Sequence, residues 1–130
     1  MSTDLLFVYG TLRRGCDTAH AHGLEEACDW AGPARVQGRL YRIAWYPGFV
    51  FDPLAGWVTG DLLRMRDPAA VLAGLDLYEE TGPGVAEPQE YRREIIEVER
   101  QGSPVEAWVY LYNRPVEGAS LIASGDWLRP

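Results

Sequence analysis

The sequence predicts an α+β domain whose strands form a closed or nearly closed sheet. Three observations carry that expectation. An opening run, Leu5-Leu6-Phe7-Val8-Tyr9, is apolar on both strand faces, as in a strand buried on two sides. Five further strand-like runs, at 34–43, 49–51, 57–65, 91–99 and 105–112, are separated by Gly- and Pro-containing turns. Helix-capping signals appear in only two or three places, so helices and strands follow a mixed order. A chain of 130 residues fits one domain, 1–130.

Each element has a local cause. The first strand ends at Gly10, and the turn Gly10-Thr11-Leu12-Arg13-Arg14-Gly15 follows. Asp17 or Thr18 then caps a short helix through Glu25, Glu26 and Ala27. Gly32-Pro33 breaks the chain before the second strand, which holds Val36, Leu40 and Tyr41. Tyr46-Pro47-Gly48 reads as a turn, because Pro presets φ and Gly permits the reversed angle. A short strand, Phe49-Val50-Phe51, ends at Asp52-Pro53. The strand at 57–65 contains Gly60, a mark of a bulge or a close backbone approach. Asp67 caps a helix that has Pro68 at its first position, and Val71, Leu72, Leu75 and Tyr78 follow at helical spacing. The last two strands form a hairpin turning near Gly102-Ser103-Pro104, and the stretch 80–90 before them is the longest irregular segment.

Composition excludes several functions. The chain is 47% hydrophobic, with five Trp, seven Tyr and three Phe, so it has the apolar area that a folded core needs. It carries 19 acidic and 12 basic residues, for a formal charge of −7. A negative surface repels phosphate backbones, and no basic cluster exceeds the pairs Arg13-Arg14 and Arg92-Arg93, which argues against nucleic-acid and anionic-membrane partners. Every basic residue is Arg, so Schiff-base chemistry and a P-loop lysine are excluded. The N-terminus shows neither a signal-peptide pattern nor a membrane span, so the expected location is the cytoplasm.

Two constellations can carry chemistry. In the turn Tyr9-Gly10-Thr11-Leu12, a Gly after a buried strand lets backbone N–H groups face a cavity and hold an anion, with Arg13 and Arg14 adding positive potential. The same residues also serve as a plain tight turn. In Leu75-Asp76-Leu77-Tyr78-Glu79-Glu80, an apolar helix ends on acids, where partial burial would raise a carboxyl pKa into the range useful for proton transfer. The competing reading is an exposed acidic helix end, although acids there oppose the helix dipole.

Other candidates are weaker. His20 and His22 would point about 200° apart on a helix and cannot chelate together. Cys16 and Cys28 lack a Cys-x-x-Cys partner. A Cys16 nucleophile would need His20 or His22 to fold back onto it.

Taken together, the motifs resemble the γ-glutamylcyclotransferase-like (AIG2-like) family. Val8-Tyr9-Gly10-Thr11-Leu12-Arg13-Arg14-Gly15 is similar to its opening motif. Gly38-Arg39-Leu40-Tyr41 with Tyr46-Pro47-Gly48, and Val58-Thr59-Gly60-Asp61-Leu62, resemble its next blocks. Leu75-Asp76-Leu77-Tyr78-Glu79, Tyr91-Arg92-Arg93, Ala107-Trp108-Val109-Tyr110 and Gly125-Asp126-Trp127 follow in the family's order. Glu80 departs from the Gly usual in the family.

The resemblance implies a small mixed β-barrel flanked by short helices, with a cavity lined by the first loop. It implies that Glu79 is the catalytic general acid/base and that Tyr9, Gly10, Thr11 and Leu12 cradle a γ-glutamyl group. The implied reaction cyclises a γ-glutamyl amine or amino acid to 5-oxoproline and releases the free amine. Such a substrate carries its own nucleophile, the α-amine, so neither a covalent intermediate nor a metal or organic cofactor is needed. A non-catalytic small-ligand-binding domain of the same fold is the alternative, and an acyl- or amide-processing enzyme using Cys16 is a third.

Overall fold

The computed structural model describes residues 3–13, 16, 18–79 and 89–130. The readings that fall on Arg14, Gly15, Asp17, Glu80 and most of the stretch 80–90 lie outside the described residues.

Seven strands and two helices appear among the described residues, in the order β1 (Leu5–Val8), α1 (Ala19–Ala27), β2 (Cys28–Arg42), β3 (Pro47–Phe51), β4 (Trp57–Met65), α2 (Pro68–Tyr78), β5 (Tyr91–Arg100), β6 (Ser103–Tyr112) and β7 (Ser120–Leu121). Five strands pair in the order β2-β4-β1-β6-β5, and a β2–β5 pairing at Arg35↔Glu99 closes the ring. The fold is therefore an α+β closed five-stranded barrel with two helices. Closure leaves the ring no free edge. β3 and β7 attach to the far end of the long strand β2.

β1 is central, antiparallel to β4 and parallel to β6. The two-residue period of a strand divides its side chains between two cores. Leu5, Phe7 and the following Tyr9 join Leu40, Phe49, Leu62 and Val109 inside the barrel. Leu6 and Val8 face outward and pack with Leu24 of α1 and with Leu72 and Leu75 of α2. Phe7 and Leu6 are 1% and 0% exposed. Each buried side chain of this size contributes about 1.5–3 kcal/mol.

Both helices start where their caps dictate. The Thr18 hydroxyl accepts from the Ala21 N–H at 3.0 Å and donates to the Thr11 carbonyl at 3.2 Å, which ties α1 to the first loop. The Asp67 carboxylate accepts from the Ala70 N–H at 3.3 Å, with Pro68 in the first helical turn.

Three expected boundaries differ from the structure. β2 begins at Cys28 rather than 34, because the strand runs on through Gly32-Pro33 with a bulge at Ala31 just before them. Gly32 takes a φ of +107°, and the register against β4 shifts between Trp30 and Gly32. The turn expected at Tyr46-Pro47-Gly48 lies earlier. The Tyr46 carbonyl accepts from the N–H groups of Ile43 and Ala44, and Pro47 opens β3, where a missing N–H costs least. The β5–β6 hairpin turns on Gln101 and Gly102, at φ of 51° and 82°, so Ser103 and Pro104 already belong to β6. Two successive positive φ angles match the twist of a tight hairpin.

Gly60 marks a close backbone approach. A Cβ there would lie 2.4 Å from the Val8 carbonyl oxygen and 2.6 Å from the Phe7 ring. Gly60→Ala therefore lowers stability by about 1–3 kcal/mol through overpacking against β1. Urea unfolding checks this, and an unchanged midpoint contradicts the packing argument.

Candidate active site

A cavity of about 200 Å³ lies at the level where β1 and α2 end. Tyr9, Gly10, Thr11, Leu12 and Glu79 all line it, although the loop and the acid lie some seventy positions apart in sequence. β1 delivers the loop as a rigid extension of the core. α2 delivers Glu79, which is the C-cap residue of that helix and donates its N–H to the Leu75 carbonyl at 2.8 Å.

Local contacts fix the loop. Gly10 approaches β3 so closely that a Cβ would lie 2.5 Å from Cγ of Pro47. The Arg13 N–H bonds the Gly10 carbonyl at 3.1 Å, closing the turn. The Thr11 hydroxyl hydrogen-bonds the Tyr78 hydroxyl, which joins the loop to the end of α2. Among the described residues, the N–H groups of Gly10, Thr11 and Leu12 donate to no protein acceptor. Three such donors in sequence are suited to a carboxylate or a developing oxyanion.

Arg13 does not add positive potential to this cavity. Its side chain is buried on the other side of the loop. Nε donates to Asp61 Oδ2 at 3.2 Å, and a terminal nitrogen donates to Asp126 Oδ1 at 2.8 Å. The Trp30 indole N–H also donates to Asp61, at 3.3 Å. These bonds anchor the loop to β4 and to the C-terminal tail, and they neutralise the arginine's charge. The Arg13 guanidinium is a structural brace.

The two acids near the end of α2 have opposite surroundings. Asp76 accepts both nitrogens of a bidentate Arg93, at 2.9 and 3.0 Å, and the Tyr110 hydroxyl at 2.7 Å. Arg93 in turn lies over the Trp108 ring at 4.4 Å. Glu79 has a second carboxylate, Glu90, for a neighbour. Burial, with the charge of Glu90 adding to it, pushes the Glu79 carboxyl up to about 7.

Several tyrosines complete the lining. Tyr9 donates to the Tyr110 carbonyl at 2.6 Å and Tyr91 to the Pro47 carbonyl at 2.8 Å. Burial drives both hydroxyls far above their ordinary range, so they act as neutral donors. Trp45, Tyr46, Tyr78, Glu90 and Tyr110 also line the cavity, and no motif in the sequence marks them as lining residues. Their only common signal is position: each lies at or near the end of a strand or helix that stops at the cavity.

Cys16 is not among the described residues lining the cavity. Its thiol lies 3.5 Å from the Gly10 carbonyl, and burial raises its pKa. Both features disfavour the thiolate that a nucleophile requires. Among the described residues no group of three or more His, Cys, Asp or Glu is arranged to hold a metal ion, and no helix is long and apolar enough to cross a membrane.

The small closed barrel with two helices is a fold that solved proteins share. The chain belongs to the "Gamma-glutamyl cyclotransferase, AIG2-like" family, whose model matches residues 6–129. It is 37% identical over 130 residues to the γ-glutamylcyclotransferase family protein YtfP of Escherichia coli strain K12, covering 95% of each chain. It is 34% identical over 124 residues to a putative γ-glutamylcyclotransferase of Vibrio cholerae, covering 95% of this chain and 94% of the other. The solution NMR structure of E. coli ytfP superposes with a TM-score of 0.68 at 34% identity, covering 95% of this chain and 96% of that one.

The raised pKa of Glu79 has a consequence for stability. Folding favours the protonated carboxyl, so the stabilisation is complete below the unfolded pKa and is lost as pH rises through about 7. Glu79→Gln mimics the protonated form at every pH. The variant is expected to be more stable than the parent at pH 8 by about 1–3 kcal/mol, with the difference vanishing near pH 4.5. Thermal unfolding across that range checks this, and a pH-independent difference contradicts it.

Proposed function

We propose that the protein is a γ-glutamyl cyclotransferase-type enzyme. It converts a γ-glutamyl amine or amino acid to 5-oxoproline and releases the free amine. Glu79 is the general acid/base, and Tyr9, Gly10, Thr11 and Leu12 hold the γ-glutamyl group. The observation that carries this reading is that the buried Glu79 carboxyl and the first loop line one cavity, and burial there pushes that carboxyl up to about 7. Membership of the family supports it.

The chemistry balances without a covalent enzyme intermediate. Ionised Glu79 takes a proton from the substrate's α-ammonium. The freed amine attacks the γ-carbonyl carbon and closes a five-membered ring, and the carbonyl oxygen becomes an oxyanion facing the loop N–H groups. Glu79 returns its proton to the amide nitrogen, the C–N bond breaks, and the amine departs. The ring nitrogen loses its surplus proton to Glu79, which then passes it to the released amine. No net proton is consumed. Ring closure within one bound molecule removes most of the entropic barrier, so proton transfer and oxyanion stabilisation are the tasks left to the protein. A carboxyl near 7 suits both halves of that transfer at neutral pH.

Glu79→Gln keeps the size and polarity of the side chain but cannot accept the proton. Turnover is expected to fall by roughly 10²–10⁴-fold while substrate binding survives, read as 5-oxoproline released from a panel of γ-glutamyl compounds. Undiminished release by the variant would sink the mechanism. No release by the parent protein from any compound would favour the small-ligand-binding domain.

A further inference from the structure

The cavity holds a carboxylate that the proposed proton transfer does not use. Glu90 sits immediately before β5. Its carbonyl accepts the Asn113 N–H at 2.7 Å, and the Asn113 side-chain amide donates to the Gln89 carbonyl at 3.1 Å. These bonds pin the start of β5 to the end of β6. The Tyr46 hydroxyl donates to Glu90 Oε2, and burial with the Glu90 contact pushes Tyr46 up to about 12, so it remains a neutral donor. Trp45 packs edge-on against Tyr46, with ring centroids 5.1 Å apart, and is 65% exposed. Glu90, Tyr46 and Trp45 thus make one wall that begins beside Glu79 and ends in solvent.

The charge of that wall is one-sided. The described lining residues include two carboxylates and no Arg, and the sequence has no Lys. Among the described lining residues an anionic group meets two carboxylates and no cation; the charge of Arg114 reaches the Tyr46 hydroxyl from outside that lining. A cationic group meets a carboxylate that is already oriented by a donor, together with aromatic rings able to face it. Glu79 is engaged with the α-ammonium of the γ-glutamyl part, which leaves Glu90 for a second cation farther along the substrate.

We propose that Glu90, oriented by Tyr46, determines specificity for the leaving amine, selecting γ-glutamyl compounds whose amine part carries a second positive charge over those whose amine part carries a carboxylate. This rests on the cyclotransferase reading. No bond forms or breaks at Glu90. It binds the distal cation, and Trp45 covers that cation at the mouth.

Three γ-glutamyl amides of matched length test the proposal: one ending in an ammonium (4-aminobutyl), one in a methyl (butyl) and one in a carboxylate (3-carboxypropyl). The parent protein is expected to rank kcat/KM as ammonium over methyl over carboxylate, with roughly tenfold or more between the extremes. Glu90→Gln is expected to reduce that ratio by roughly tenfold, and Glu90→Asp to restore part of it. Added salt narrows the ratio in the parent, since the wall opens to solvent. If Glu90→Gln does not fold, Tyr46→Phe removes the donor that orients Glu90 and narrows the same ratio. Equal kcat/KM values in the parent, or an unchanged ratio in the variants, overturn the proposal. Calorimetric binding of the three amides to the Glu79→Gln protein separates the two readings. A charge order kept in binding while the parent forms no 5-oxoproline overturns the cyclase reading alone. Equal affinities overturn the role of Glu90 alone.

Discussion

Burial of β1 on both faces is the constraint from which the site follows. A strand whose side chains fill the barrel on one side and support both helices on the other cannot shift in register without emptying two cores. Its C-terminal end is therefore a fixed point. The loop at Gly10 to Leu12 inherits that position, and the Arg13 brace to Asp61 and Asp126 holds the loop's far side. α2 rests on the outward face of the same strand through Leu72 and Leu75, so its last turn arrives at the same place. Glu79 meets the loop because both are registered on one four-residue strand.

Asp76 and Glu79 stand one helical turn apart, and the protein treats them differently. Asp76 receives a bidentate guanidinium and a phenol, the contacts of a carboxylate that holds structure together. Glu79 receives burial and a like charge. A carboxyl so placed costs folding stability near neutral pH, and a fold keeps such a cost where proton transfer repays it. This contrast sets the proposed proton carrier apart from the acid one turn before it.

Much of the frame was legible because its causes are local. The two-faced apolar run of β1 and the Thr18 and Asp67 caps each depend on residues near one another in sequence. The misplaced boundaries arise where tertiary pairing overrides a local signal. Gly32-Pro33 resembles a break, yet β4 supplies partners to both residues, and the strand runs on through them with a bulge at Ala31 just before. Pro47 resembles a turn residue, yet it opens a strand. The outward direction of Arg13 was illegible, since its partners Asp61 and Asp126 lie 48 and 113 positions away. Glu90 was illegible for the same reason: its meeting with Tyr46, 44 positions earlier, exists only once the barrel has closed.

The central claim is that the Glu79 carboxyl holds its proton close to neutral pH. Carbon-13 NMR titration of the glutamate side-chain carboxyls, with the Glu79 signal assigned by its loss in Glu79→Gln, measures this directly. The account predicts a midpoint near 7 for that one resonance. A Glu79 midpoint in the ordinary glutamate range, about 4.3, would contradict it.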